Sequence, residues 1–254
     1  MDEEQKDILR LACSRLNFAH KVGCDWGFDK TVVYGRGVSV LLYGPSGTGK
    51  TMAAQIMAAE TGMELYRVDL SRLSSKYVGE TEKNVSKLFE EAKNLNIILF
   101  FDEADSLFSK RTDITDSNDK FANAETAFIL QQVEQYEGMC ILATNLYKNF
   151  DSAFIRRISC VVKFSLPDEE RRYLLWKSII PEKAPVSPDL DLRFLAENFD
   201  MSGSEIKSVI YTAAFIAAEK DQPISMNHII KALRIDFAKA GKLLSESLLG
   251  PYGR

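Results

Sequence analysis

The sequence predicts an α/β protein with a doubly wound, five-stranded parallel sheet, followed by a small all-helical C-terminal domain. Short runs of β-branched and apolar residues alternate with helix-like segments up to about residue 166. Strands that alternate with helices form parallel sheets covered on both faces. After Pro167 no strand-like run occurs, and four helical segments follow one another. We therefore predict two domains, residues 1–166 and residues 167–254.

The composition narrows the class of protein. With 254 residues, 46% of them hydrophobic, the chain can bury a full core. The net charge is −4 and the basic residues are scattered, which argues against a nucleic-acid partner. No stretch approaches the ~18 apolar residues of a membrane span, so we expect a cytoplasmic protein without a membrane segment. The cysteines lack metal-ligand spacing and are expected to be free, buried thiols. They are Cys13, Cys24, Cys140 and Cys160.

The first domain is predicted to begin with a helix and to contain five strands. Apolar residues recur every three or four positions over residues 3–22, which predicts a lead helix with one buried face. The strand-like runs are residues 38–42, 64–68, 97–101, 139–143 and 160–164. Residues 81–95 predict an amphipathic helix that Thr81 caps, with an apolar stripe ending at Leu95.

The second domain is predicted to contain four helices separated by proline and glycine. These helices cover roughly residues 168–179, 190–199, 204–220 and 225–240. Trp176 is expected in the core of this domain, together with Leu174, Leu175 and Ile179. The last residues, 248–254, are predicted to form a frayed end.

A glycine-rich segment between the first strand and the next helix points to the ligand. It completes the P-loop pattern G-x-x-x-x-G-K-[ST], which predicts binding of a nucleoside triphosphate. Its residues are Gly44, Pro45, Ser46, Gly47, Thr48, Gly49, Lys50 and Thr51. The glycines let backbone N–H groups surround the phosphates. Lys50 is expected to reach the β- and γ-phosphates, and the Thr51 hydroxyl to bind Mg²⁺.

Polar residues follow two later strands and complete a candidate catalytic set. Asp102 is expected to hold the hydration shell of Mg²⁺, and Glu103 to orient or deprotonate the water that attacks the γ-phosphate. Asn145, after the next strand, either positions that water or simply turns the chain. Arg156 and Arg157 either serve another subunit's γ-phosphate as an arginine finger or form a surface salt-bridging pair.

The order of these motifs resembles the AAA ATPases, the hexameric remodelling motors, over nearly the whole chain. The resemblance implies ATP and Mg²⁺ as ligands, Asp102 and Glu103 as the Walker B pair, and Asn145 as sensor 1. The amino-acid sequences of residues 76–84 and 100–105 are most similar to those of bacterial members of the valosin-containing-protein type. Many members of the family have the sequence Arg-Gly-Arg-Phe-Asp at the position where this chain has Arg157 followed by Ile-Ser-Cys. The resemblance therefore leaves open whether Arg156 or Arg157 is the arginine finger.

Three further segments take their expected roles from this resemblance. Residues 75–80 are similar to the family's first pore loop, whose Tyr77 and Val78 would grip a protein substrate, unless Tyr77 packs down in its loop. Gly203 and Ser204 open a helix expected near the base and ribose, and here Ser204 replaces the family's alanine.

Asp25 and Gly27 precede the first strand, where the family's adenine-binding segment falls. Trp26 and Phe28 would form an apolar wall for the base or pack into the core.

Taken together, the motifs imply an ATP-hydrolysing motor that threads protein through the pore of a homo-oligomeric ring, with ATP bound at subunit interfaces. A nucleotide-gated assembly scaffold with little turnover is the alternative. A small-molecule kinase is disfavoured, because the spacing of Asn145 from Arg156 and Arg157 is foreign to that class.

Overall fold

The structure is a computed structural model and describes residues 1–31, 36–69, 80–105, 117–150 and 152–252. Its internal contacts divide the chain into two compact units. The first comprises Met1–Gly44 and Lys50–Phe164, and the second comprises Pro45–Gly49 and Ser165–Arg254.

The first unit contains the predicted five-stranded sheet. Its strands are β1 (Val38–Tyr43), β2 (Leu65–Val68), β3 (Ile98–Phe101), β4 (Met139–Thr144) and β5 (Cys160–Lys163). They run in the order β2-β3-β4-β1-β5, and every neighbouring pair is parallel. The prediction of a parallel sheet is confirmed. This order makes the carboxyl ends of β3, β4 and β1 neighbours.

Helices cover both faces of the sheet, which confirms the doubly wound arrangement. Among the described residues, the α-helices of this unit are α1 (Glu3–Asn17), α2 (Lys50–Thr61), α3 (Glu80–Leu95), α4 (Ser117–Gln135) and α5 (Ser152–Ile155). Buried side chains of α1 and α2 share one apolar layer with the sheet, and those of α3 and α4 share the other. The strands are continuous apolar runs because both of their faces are buried.

The helix predicted over residues 3–22 is interrupted at Phe18. Helix α1 ends at Asn17, and a π-helical turn over Lys21–Asp25 and a 3₁₀ turn over Phe28–Lys30 follow it. The interruption falls at Phe18, an exposed residue that gains no burial from continuing the helix, and helical backbone resumes at Ala19.

Two details predicted for the 81–95 helix are wrong. Helix α3 begins by Glu80, so Thr81 lies inside it as a buried residue and does not cap it. Leu95 is 67% exposed, because Val85, Phe89 and Ala92 already fill the buried face. The next residue, Asn96, adopts a left-handed φ of 51° after the helix ends.

The second unit is helical. It contains α6 (Glu169–Ile179), α7 (Leu192–Asn198), α8 (Gly203–Glu219), α9 (Met226–Lys239) and α10 (Glu246–Leu249). Trp176 is fully buried in its core, as predicted. Leu174 is exposed, contrary to the prediction, because positions two apart on a helix face different directions.

The prediction of a frayed C-terminal end is wrong for residues 248–252, which are folded. Leu249 is fully buried, a 3₁₀ turn covers Gly250–Tyr252, and the rings of Tyr252 and Phe194 lie 5.0 Å apart in a T-shaped contact.

All four cysteines are free thiols, as predicted, but only three are buried. Burial raises the pKa of Cys13 to about 11 and also raises the pKa values of Cys140 and Cys160. Cys24 is exposed and its Sγ lies 3.5 Å from Asp29 Oδ2. Within the described ranges, no helix combines the length and apolarity that a bilayer crossing requires.

Tyr136 is expected to stabilise the first unit through its hydroxyl. This buried group donates to Ile97 O at 2.6 Å and to Ala92 O at 3.3 Å. Replacement by Phe leaves the Ile97 carbonyl without this donor, so Tyr136→Phe should lower the free energy of unfolding by about 1–3 kcal/mol. Urea denaturation at neutral pH measures this, with Tyr66→Phe as the exposed control.

The same comparison carries a pH test. Burial raises the pKa of Tyr136 to about 12, whereas an unfolded tyrosine ionises near 10. The native state therefore holds the proton longer, and stability from this group is lost as the pH rises from about 10 to 12. The advantage of the wild type over Tyr136→Phe should shrink across that window. Equal stabilities at neutral pH would contradict the assignment.

Candidate functional site

The P-loop lysine lies at the edge of the sheet where three strands end. Lys50 is the first residue of α2 and is buried. Its Nζ donates to Gly44 O and to Asn145 Oδ1, both at 2.7 Å. The structure therefore brings together Gly44, Lys50 and Asn145, which the sequence separates by up to 101 positions (145 − 44).

The electrostatic setting of Lys50 is unusual for a lysine. Burial lowers its pKa, and the carboxylates of Asp102 and Asp105 oppose that effect by favouring the charged form. A buried cation needs compensation by hydrogen bonds or by opposite charge. The two neutral carbonyl acceptors and the two carboxylates together supply such compensation.

The loop before Lys50 contains three glycines in left-handed conformations. Gly44, Gly47 and Gly49 have φ values of 144°, 73° and 102°, which residues with a Cβ rarely adopt. Gly44 also lacks room, since a Cβ there would lie 1.9 Å from Phe164 O. At Gly49 a Cβ would meet nothing within 4 Å, so that glycine is required by conformation.

The remaining loop residues are mostly accessible. Pro45, Ser46 and Thr51 are exposed, and Thr48 Oγ1 donates to Pro45 O at 2.8 Å.

Two carboxylates follow β3. Asp102 Oδ1 accepts from the backbone N–H of Glu103 at 3.1 Å, and Asp102 Oδ2 lies 2.9 Å from Arg67 Nη2. Glu103 is exposed and has a φ of 54°, a left-handed conformation that costs a residue with a Cβ about 1–2 kcal/mol. Ala104 N donates to Ala143 O at 2.8 Å, which ties this turn to β4.

A second set of contacts fixes the end of β4, and sequence reasoning missed it. The buried Thr144 Oγ1 donates to Asp105 Oδ1 at 2.8 Å and accepts from Leu146 N at 2.9 Å. The ring of Tyr147 stacks on Tyr43 with centroids 4.0 Å apart. These contacts hold the residues on either side of Asn145.

The missed residues leave weak signals in the sequence. Thr144 is a polar residue that ends an apolar strand, and Asp105 is a third acidic residue after β3. Arg67 is a charged residue within a strand.

The two arginines differ in their surroundings. Both are exposed, and Arg157 Nη1 lies 3.2 Å from Glu134 Oε1. Arg156 forms no ion pair with any residue that the structure describes. The salt-bridging interpretation thus applies to Arg157 within this part of the chain.

Within the second unit, Ser204 contacts the phosphate loop. Ser204 N donates to Gly47 O at 3.2 Å, and Ser202 caps α8 together with Glu205. A Cβ on Gly47 would lie 2.0 Å from Ser204 Oγ, so the hydroxyl fills the space that a side chain at Gly47 would need. Gly203 is less constrained, since a Cβ there would contact Gly47 O at 3.6 Å.

The predicted adenine segment forms two short helical turns. Gly27 has a φ of 79° and joins the π-helical and 3₁₀ turns, and Asp25 ends the first of them. Trp26 and Phe28 are 64% and 51% exposed, so the alternative prediction that they pack into the core is wrong.

The predicted pore-loop residues Tyr77 and Val78 lie outside the described residues.

The sheet order and the loop define a nucleotide-binding protein of the P-loop class. Residues 40–166, half of the chain, match the family described as "ATPase family associated with various cellular activities (AAA)". The chain belongs to this AAA ATPase family.

Several relatives are similar over longer stretches. Proteasome-activating nucleotidase 1 of Haloferax volcanii is 36% identical over 191 residues, which is 72% of this chain and 47% of the relative. Spastin of Gallus gallus is 32% identical over 221 residues, or 82% of this chain and 36% of the relative. An uncharacterized AAA family ATPase of Sinorhizobium fredii is 41% identical over 129 residues, or 51% of this chain and 39% of the relative. The chain thus spans less than half of each of these three relatives.

The Thr144–Asp105 contact should appear as an energetic coupling. We expect the double-mutant cycle of Thr144→Val and Asp105→Ala to give an interaction energy of about 0.5–3 kcal/mol in urea denaturation, because each single change removes the same bond. Ser208→Ala, in the second unit, is the control partner for Thr144→Val and should be additive within about 0.5 kcal/mol. Additivity of the Thr144–Asp105 pair would show that the contact contributes no stability.

Proposed function

We propose that this chain is the ATP-hydrolysing module of a protein-remodelling AAA motor, a homo-oligomeric ring of six copies with ATP bound at subunit interfaces. The observation that carries the proposal is the buried Lys50 ammonium group, held by Gly44 O and Asn145 Oδ1 beside the carboxylates that end β3. A buried cation at the first position of a helix is suited to binding a polyanion.

In this proposal, residues 44–51 surround the triphosphate of ATP. Lys50 transfers hydrogen bonds from its neutral acceptors to phosphate oxygens, which compensate its charge better. Asn145, released from Lys50 in this way, can turn its amide toward the γ-phosphate or the attacking water. Thr144 and Tyr147 keep the neighbouring backbone in place while it does so.

Thr51 and Asp102 are proposed to hold Mg²⁺. A hydroxyl and a carboxylate are hard oxygen ligands, which suit this ion. The Coulomb interaction between Lys50 and Asp102 indicates that these two residues are near each other. Because Thr51 directly follows Lys50, it supports a position of Thr51 near Asp102 as well. When bound, the ion neutralises charge on the β- and γ-phosphate oxygens. Glu103 is exposed and backbone-constrained, and we assign it as the base that orients or deprotonates water.

The arginine finger is proposed to act on the neighbouring copy. Arg156 is exposed and has no ion-pair partner among the described residues, so we assign it the contact with the next subunit's phosphate. Arg157 is held by Glu134 and would position the turn that presents Arg156. Closing a ring then becomes a condition for hydrolysis.

Handling of the protein substrate and recognition of the base rest on the resemblance. Tyr77 and Val78 are proposed to grip a polypeptide in the pore. Asp25 and Gly27 are proposed to contact adenine, and the exposure of Trp26 supports a role as an apolar wall. Gly203 and Ser204 are proposed near the ribose. The cytoplasmic location and the likeness to valosin-containing protein stay predictions.

An assembly scaffold with little turnover is the second candidate. The engagement of Asp102 by Arg67 favours it, since that carboxylate is then occupied. The two functions differ in how the rate depends on assembly.

The motor predicts that ATPase activity per subunit rises steeply with protein concentration, because each site needs a neighbour. Steady-state phosphate release measured over two or three decades of concentration tests this. The ATPase activity of Arg156→Ala should stay about 10³-fold below that of the wild type at every concentration, because the variant lacks the arginine finger. A flat, low line for the wild type would favour the scaffold.

Glu103→Gln should stop hydrolysis and keep ATP binding. The amide has the shape of the carboxylate but cannot accept the proton, so turnover should fall by about 10²–10⁴-fold. Fluorescent-ATP binding and phosphate release together measure this, with the exposed Glu137→Gln as the control. Unchanged turnover in Glu103→Gln would remove this residue from the mechanism.

A further inference from the structure

An arginine in β2 reaches the carboxylate that is proposed to hold magnesium. Arg67 Nη2 lies 2.9 Å from Asp102 Oδ2. Arg67 is opposite Phe100 in the β2–β3 pair. Because side chains alternate between the faces of a sheet, the position two residues after Phe100 lies on the side of Arg67. The register of the two strands therefore sets up this contact.

The face involved is the one covered by α2. Leu65, two residues before Arg67, packs in the same apolar layer as Phe100 and Met57 of α2. Lys50 and Thr51 begin that helix. Asp102 is thus under the influence of two cations, Arg67 by direct contact and Lys50 by Coulomb attraction.

We propose that Arg67 is a positioning residue that competes with Mg²⁺ for Asp102. It holds the carboxylate at the sheet edge while the metal is absent, and it raises the magnesium concentration at which the nucleotide site fills. This inference rests on the proposed function, since it takes Asp102 as part of the magnesium site.

The charges and the exposure of Arg67 support a releasable competitor. A guanidinium next to a divalent cation is repelled, so both cannot share Asp102 without an electrostatic cost. The Arg67 side chain is 68% exposed, and an ion pair this exposed contributes little to stability. Release of Arg67 into water is therefore inexpensive, and its main effect falls on the metal and not on the fold.

Titration calorimetry with a non-hydrolysable ATP analogue tests the competition on the whole chain. Affinity is measured in EDTA and over a series of Mg²⁺ concentrations for Arg67→Gln, Arg67→Lys and the wild type. Arg10→Gln is a matched control, because Arg10 Nη1 also lies 2.9 Å from a carboxylate, that of Asp7, and its side chain is 59% exposed. Circular dichroism verifies that each variant is folded.

In Arg67→Gln, the Mg²⁺ concentration that gives half of the affinity gain should fall about threefold to tenfold, the size expected for removing one nearby surface charge. Arg67→Lys keeps the charge and should stay within about twofold of the wild type, and Arg10→Gln should match the wild type.

An unchanged or higher magnesium requirement in Arg67→Gln would overturn the competition, and it would leave the proposed function standing if the wild type binds the analogue in a Mg²⁺-dependent way. Failure of the wild type to bind the analogue at any Mg²⁺ concentration would overturn both.

Discussion

A buried positive charge is the constraint on which the site depends. Removing an ammonium group from water is costly unless oxygen atoms and negative charges replace the water. Lys50 obtains them from Gly44, from Asn145 and from the nearby carboxylates of Asp102 and Asp105. These groups come from three different segments, and only a sheet in which β3, β4 and β1 are neighbours brings their ends together. The strand order is thus directly tied to the chemistry of the edge.

The residues around this charge differ in how firmly their side chains are held. Thr144 hydrogen-bonds to Asp105 and to the backbone of Leu146, and these bonds shape the backbone beside Asn145. Glu103 is held in a left-handed conformation and remains exposed. Arg67 and Asp102 form an accessible ion pair that a stronger cation can open. A rigid inner layer with an exchangeable outer layer suits a site that must bind, react and release in each cycle.

Sequence patterns predict those parts of this protein that depend on residues adjacent in the sequence. The five strands are visible because strands buried on both faces are continuous apolar runs, and the P-loop is visible because its glycines and lysine are adjacent. The end of α1 at Asn17, the exposure of Leu95 and the packing of Tyr252 on Phe194 depend on where the core stops. The Arg67–Asp102 pair depends on the register of β2 and β3, which no local pattern encodes.

The role of Lys50 can be tested by replacing it with methionine, which keeps an unbranched side chain, one atom shorter, and removes the charge. ATP affinity is measured by titration calorimetry for the wild type and for Lys50→Met, with circular dichroism to show that both are folded. The account predicts that the folded variant binds ATP at least about a hundredfold more weakly, which corresponds to about 2.7 kcal/mol. Equal affinity of the two proteins would contradict a nucleotide site built around this charge.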